Sequence, residues 1–354
     1  MLTALAPAAG KILILLALSK YGVDNSNFAI LLNTSSLVGV FATASIGIAL
    51  TSNLKVNYLG LSYSLAPLLF FGFFYIDHYW ELLYIFCFSS QQIYRFKKFG
   101  DGSPLKALLS DLTFIIAHAI AIVTLEFSIK NISIILAATT IPQILSLSLS
   151  IRSKANKDPD TSKRYLYSGI SNLSSSGLIF ALPLIMSSMV GNQYAADATI
   201  VGTIAFITSA IPRAYVSSQI KLAANLDSLE SIIIANKKLR VISALSFIVG
   251  ATFVFGYDLV KTNIFLFLYG IAVCLYTAIG QASSLNANIL MLKGDAGWLL
   301  KWNILISATV ATYFTIFING SKLEFIIGTL LISLLYAARL TGIKEKAYDR
   351  SLYK

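Results

Sequence analysis

The chain has 354 residues, of which 56% are hydrophobic and only 12% charged, and it carries a formal net charge of +11. Soluble domains carry about a quarter charged residues, so this composition excludes a soluble enzyme. The positive residues lie in short loops between apolar blocks, which is the pattern of membrane topology and not of a nucleic-acid-binding surface.

About 20 apolar residues cross a bilayer. Taken in chain order, the apolar blocks predict six spans at 3–21, 27–50, 57–76, 79–95, 106–126 and 132–151. A polar stretch, RSKANKDPDTSKR, fills 152–164. Six more spans follow at 165–189, 195–219, 238–257, 262–284, 297–318 and 323–341. The expected fold class is an all-α polytopic membrane protein with about 12 transmembrane helices in two pseudo-symmetric six-helix halves. The halves are 1–151 and 165–342, joined by a cytoplasmic linker at 152–164 and followed by a cytoplasmic tail at 343–354. The first apolar run has no basic segment before it and no cleavage site after it, so it reads as a retained helix.

The basic residues orient the chain. The even-numbered loops and the tail, with Arg339 counted there, hold 21 of the 27 Lys and Arg. The opposite side holds three, Lys130, Lys261 and Lys322, while Lys11, Lys20 and Arg213 fall within spans. This asymmetry puts both termini in the cytoplasm. The outer loops are all short (GVDNSN, DHY, EFSIKN, GNQYAAD, YDLVKTN, NGSKLE), so no catalytic domain folds outside the membrane. A faint repeat joins the halves: SKYGVDNSNFAILLNTSSLVGVFATASIGIAL and SSMVGNQYAADATIVGTIAFITSAIPRAYVSS both run helix, Gly-led polar turn, helix, with Gly22 and Gly191 169 residues apart.

Polar residues inside spans are the candidates for function, because a charge at mid-bilayer costs about 3 kcal/mol or more. Lys11 lies too far from either end of its span to snorkel, and reads as a cavity-lining cation. Arg213 follows Pro212 near a span end, where the repeat has only Ala44; it can line a cavity or snorkel. Lys20, at the outer end of its span, snorkels easily, and Glu81 snorkels or pairs at an interface. Asp111 and His118 share one helix face, about 10.5 Å apart along the axis. Such a pair can relay protons or bind Na⁺; the plainer reading is a helix-terminus aspartate and a satisfied core histidine. The stretch YLYSGISNLSSSG is too polar for lipid, and Asn172 in it either packs between helices or lines a wet cavity. Asn33, Gln143, Gln281 and Asn303 are further buried amides, more often interhelical partners than ligands. Cys87 and Cys274 read as small core hydrophobes. There is no phosphate-binding loop motif, no metal-enzyme spacing of His, Cys and Glu, and no serine-hydrolase arrangement, so no cofactor, metal or catalytic residue is expected.

Twelve spans in two sixes, a short basic linker and a Gly-turn hairpin opening each half resemble the multidrug/oligosaccharidyl-lipid/polysaccharide (MOP) exporter superfamily, and within it the Wzx-type polysaccharide flippases. The stretches that carry the likeness are LSKYGVDNSNFAILLNTSSLVGVFATASIGIAL and LPLIMSSMVGNQYAADATIVGTIAFITSAIP, in corresponding places of the two halves. The resemblance implies a transporter, not an enzyme, in the bacterial inner membrane. Its substrate would be an undecaprenyl-diphosphate-linked oligosaccharide, an O-antigen or capsule repeat unit, moved between leaflets by alternating access. It also implies contact with membrane lipid and with the polysaccharide polymerase of the same pathway. Lys11 and Arg213 would then face the diphosphate, with Asn33 and Asn172 as further substrate contacts and Asp111 and His118 as ion-coupling groups. Two alternatives remain: a MATE-like drug/cation antiporter of the same superfamily, and an O-antigen polymerase or other membrane glycosyltransferase. The cationic span residues argue against the first, and the short outer loops against the second.

The charge asymmetry makes a direct prediction. Alkaline phosphatase, which is active only outside the cytoplasm, is expected to be active when fused after Gly191 and inactive when fused after Lys354.

Overall fold

A computed structural model describes residues 10–18, 25–51, 78–100, 103–124, 128–150, 167, 169–171, 173–174, 176–223, 229–292 and 296–348. Those residues are nearly all helical and include no strand. After a helical stretch at 10–18 come α1 (Ser26–Thr51), α2 (Tyr79–Gly100), α3 (Pro104–Thr124), α4 (Ile129–Ser150) and α5 (Leu178–Met189). Then follow a 3₁₀ turn (Asn192–Tyr194), α6 (Ala195–Thr208), α7 (Ala210–Ala223), α8 (Leu229–Lys261), α9 (Ile264–Ala282), α10 (Ser284–Leu292), α11 (Ala296–Ile316) and α12 (Lys322–Ala347). An apolar chain in lipid must pair every backbone group internally, and helices do this within one segment. Eight stretches among the described residues are long and apolar enough to cross a membrane. The expected span at 57–76 lies outside the described residues.

The chain divides into two compact units, Ala9–Leu184 and Ile185–Lys354. In the first unit α2 is central and packs against α1, α3 and α4. It is less apolar than its neighbours, carrying Ser89, Ser90, Gln91 and Arg95, because other helices and not lipid surround it. The stretch 10–18 packs onto α3 at Gly10, where a Cβ would come within 2.6 Å of Ile115. Cys87 and Cys274 are free and buried, as their apolar surroundings suggest.

In the second unit α9 packs against α8, α6 and α12. The α8–α9 pair is antiparallel: Gly250 lies beside Cys274 and Val254 beside Gly270. The α9–α12 pair is parallel, with Phe265 against Phe325 and Tyr276 against Tyr336.

Two expected spans are kept with added detail, and two are corrected. The span at 195–219 matches one apolar stretch, Asn192–Val216, with a turn at Ser209 between α6 and α7. Pro212 has no N–H to give to the Thr208 carbonyl, which removes one helical hydrogen bond beside this turn. The span at 262–284 matches α9, which ends at Ser283, whose hydroxyl turns back to the Gly280 carbonyl at 2.9 Å. The span at 238–257 is much longer, because α8 begins at Leu229 and takes in Lys237, Lys238 and Arg240 from the expected loop. Finally, α12 runs on to Ala347, past the expected span end at 341 and into the expected tail. The repeat is visible in the helix starts: α1 begins at Ser26 and α6 at Ala195, the 169-residue offset of Gly22 and Gly191. Gly191 itself has φ 129°, a conformation open to glycine and strained for other residues.

Gly270 marks the tightest approach of α8, α9 and α6. A Cβ there would lie 2.4 Å from Val254 Cγ1 and 2.8 Å from Val201 Cγ1, both on stiff β-branched side chains. Gly270→Ala is expected to destabilise the protein by about 1–3 kcal/mol, measured as a lowered Tm in detergent, and Val254→Ala in the same chain to restore part of the loss.

Candidate functional site

Lys11 is 9% exposed. Its ammonium donates to Ser36 Oγ on α1. It also lies over two aromatic faces, 5.4 Å from the Phe88 centroid and 4.9 Å from that of Phe180. Ser36 passes its own hydrogen to the Leu32 carbonyl at 2.6 Å, so its oxygen is turned to receive the ammonium. No carboxylate among the described residues lies within ion-pair distance of Lys11. Desolvating a charge at this depth costs several kcal/mol, whereas a buried cation–π contact returns about 2 kcal/mol. The cage thus gives Lys11 a hydroxyl and two aromatic faces and, among the described residues, no opposite charge.

Asn33 lies one turn before Ser36 on α1, is buried, and donates to the Ala29 carbonyl at 2.8 Å. Asn172 lies outside the described residues. Arg213 is in the second unit in the first turn of α7, with its guanidinium 3.9 Å from the Phe206 ring two turns before it.

Asp111 and His118 are both buried on one stripe of α3, with Ala107, Phe114 and Ala121. Each has its own partners. Asp111 pairs with Arg95 of α2, Nε to Oδ2 at 3.0 Å, with no exposed carboxylate surface. Beside it Gln91 donates to the Ser110 carbonyl at 2.7 Å, and Ser110 Oγ donates to Gln143 Oε1 at 2.9 Å, so Gln143 is the interhelical partner its amide suggests. His118 Nδ1 is 2.8 Å from the Phe114 carbonyl, which can only accept, so the proton sits on Nδ1. Its Nε2 then accepts from Tyr84 Oη at 2.9 Å. Phe28, Tyr84 and Phe114 surround the ring. This is the geometry of a neutral histidine with both nitrogens used. Glu81 pairs with His78 at 3.4 Å, near the start of α2.

Sequence reasoning missed Arg339. It is 5% exposed, donates from Nη1 to Ser283 Oγ at 3.2 Å and lies 5.2 Å from the Tyr336 ring centroid. A signal was available. Ile332, Tyr336, Arg339, Ile343 and Ala347 form the buried stripe of α12 at helical spacing, so Arg339 occupies a core position. Also missed was the aromatic half of the Lys11 cage, since Phe88 and Phe180 are far from Lys11 in sequence and sit in runs of similar residues. Among the described residues no group of His, Cys, Asp and Glu has the arrangement of a metal site.

No family model matches the sequence, and no curated protein matches it. Solved structures do match in fold. One is a MATE transporter in complex with MaD3S, with TM-score 0.58 and 14% identity over 97% of this chain and 95% of that one. Another is an inward-facing multidrug resistance MATE family transporter of the MOP superfamily, with TM-score 0.57 and 15% identity over the same shares of the two chains. A third is a MOP superfamily transporter from Pyrococcus furiosus, described as having a binding pocket of reversed polarity that suggests a different function; its TM-score is 0.50 at 12% identity, over 97% of this chain and 96% of that one. The chain thus has the fold of MATE-like transporters.

The Arg95–Asp111 pair gives a stability prediction. Asp111→Asn leaves a buried guanidinium without its carboxylate and is expected to cost about 3–5 kcal/mol. The double variant Arg95→Leu/Asp111→Leu is expected to lose much less, measured by thermal unfolding of the purified proteins.

Proposed function

We propose that this protein is a flippase that moves an undecaprenyl-diphosphate-linked oligosaccharide, an O-antigen or capsule repeat unit, from the cytoplasmic to the outer leaflet of the bacterial inner membrane. The observation that carries the reading is the buried Lys11, held by a hydroxyl and two aromatic faces with no carboxylate beside it among the described residues. A cation kept un-neutralised at this depth suits an anionic substrate, and a diphosphate supplies charge-assisted hydrogen bonds of the strong kind. The MATE-like fold supports alternating access, in which two halves, 1–151 and 165–342, rock about a midplane site. Arg213 is the second half's cation toward the diphosphate, and Asn33 and Asn172 are contacts for the sugar. Asp111, paired with Arg95, is the first candidate for ion coupling; His118 is the second, through Tyr84. Both termini face the cytoplasm, and the polymerase of the same pathway receives the flipped unit.

A drug/cation antiporter is the second reading, favoured by the MATE structures that match in fold. It needs an anionic side chain facing the substrate, and the buried Asp111 is already engaged by Arg95.

The test is deletion of the gene, followed by quantification of lipid-linked oligosaccharide on each leaflet of isolated membranes. Complete units are expected to accumulate on the cytoplasmic leaflet. Wild type and Lys11→Arg are expected to clear them, and Lys11→Ala to leave at least about nine-tenths of them in place, since loss of one buried charge-assisted contact is worth tenfold or more. Units that reach the outer leaflet normally but fail to join into chains would instead identify a polymerase.

A further inference from the structure

The second unit contains buried polar atoms that its own hydrogen bonds leave incomplete. Among the described residues, Arg339 Nε, Ser243 Oγ and Gln281 Oε1 have no partner. Arg339 is 5% exposed and Ser243 2%. In an apolar interior each such atom costs about 1–3 kcal/mol, so a set of them marks a place where a further group belongs.

The helix registers bring these atoms to one level. On the antiparallel α8–α9 pair, Gly250 meets Cys274 and Val254 meets Gly270. Carried two turns further, that register sets Ser243 level with Gln281, two residues before the break at Ser283. On the parallel α9–α12 pair, Tyr276 meets Tyr336 and Ser283 meets Arg339. The Arg339 guanidinium is therefore steered by Ser283 at Nη1 and by the Tyr336 face, while its Nε edge stays unmatched. No carboxylate among the described residues lies within ion-pair distance of Arg339.

We propose that the second unit holds an oxyanion site centred on Arg339, at the Ser283 break between α9 and α10, and that its ligand is a phosphoryl group. The Nε–H edge of a guanidinium matches a phosphate oxygen in geometry and charge. The Gln281 Oε1 is an acceptor and suits a hydroxyl next to that phosphate. The site deepens the proposed function and rests on it for the identity of the physiological ligand: it gives a sugar diphosphate a contact beyond Lys11. The same chemistry would accept free phosphate or pyrophosphate.

Binding is measured on the full chain in lipid nanodiscs, with inorganic pyrophosphate as one probe and undecaprenyl diphosphate as the other. Wild type is expected to bind both, each displacing the other. Arg339→Gln is expected to weaken both by about tenfold or more, and Ser283→Ala to weaken them less, by loosening the guanidinium without removing it. Equal binding by wild type and a folded Arg339→Gln overturns the site. If Arg339→Gln does not fold, unchanged binding by Ser283→Ala overturns it. Pyrophosphate binding that depends on Arg339 and is not displaced by the lipid upholds the site and removes the lipid-linked substrate. Lipid binding with neither probe sensitive to Arg339 removes the site and leaves the flippase reading standing.

Discussion

A cation inside an apolar helical bundle has to be held by something, and this protein holds its buried cations in two ways. Arg95 meets a carboxylate, Asp111, and the pair is closed. Among the described residues, Lys11 and Arg339 meet hydroxyls and aromatic faces, Ser36 with Phe88 and Phe180 in one unit and Ser283 with Tyr336 in the other. The helices already satisfy the backbone, so what remains to balance is on side chains. An ion pair is a structural bond, whereas a cation cradled by neutral groups keeps most of its field. The distinction separates residues that hold a unit together from residues able to act on a charged molecule.

The helix breaks set where those cations sit. Just past the turn at Ser209, Arg213 lies two turns after Phe206 and its guanidinium covers that ring. The turn at Ser283 presents the hydroxyl that Arg339 uses. Both breaks are in the second unit. Its counterpart α1 runs unbroken through Thr43 and Ala44, the positions equivalent to Pro212 and Arg213. The repeat thus preserves the helix start and differs where the second unit places its cation.

Much of this was legible in the residues. Length of apolar run and basic loop residues set out the helices, because a bilayer imposes one length and one charge rule. Lys11 stood out because nothing near it in sequence explains a mid-span charge, and the structure indeed buries it. Arg339 escaped because a cation near a predicted span end looks like a loop residue; only the stripe Ile332, Tyr336, Arg339, Ile343 reveals its face. The partners of Asp111 and His118 were hidden for another reason. Arg95 and Tyr84 come from a different helix, and which helices adjoin is a property of packing that no local pattern records.

The length of α8 has a consequence for motion. Its 33 residues extend about 50 Å, against a hydrocarbon thickness of about 30 Å. The surplus lies at the Leu229 end, where Lys237 and Lys238 are exposed. Anionic headgroups attract each such lysine by about 1 kcal/mol within a Debye length of the surface. Sliding the unit along the membrane normal would drag these ammonium groups into hydrocarbon or out of the headgroup layer, while a tilt about an in-plane axis leaves their depth nearly constant. A helix of this length, with lysines beyond one end, would make a piston stroke costlier than a swivel.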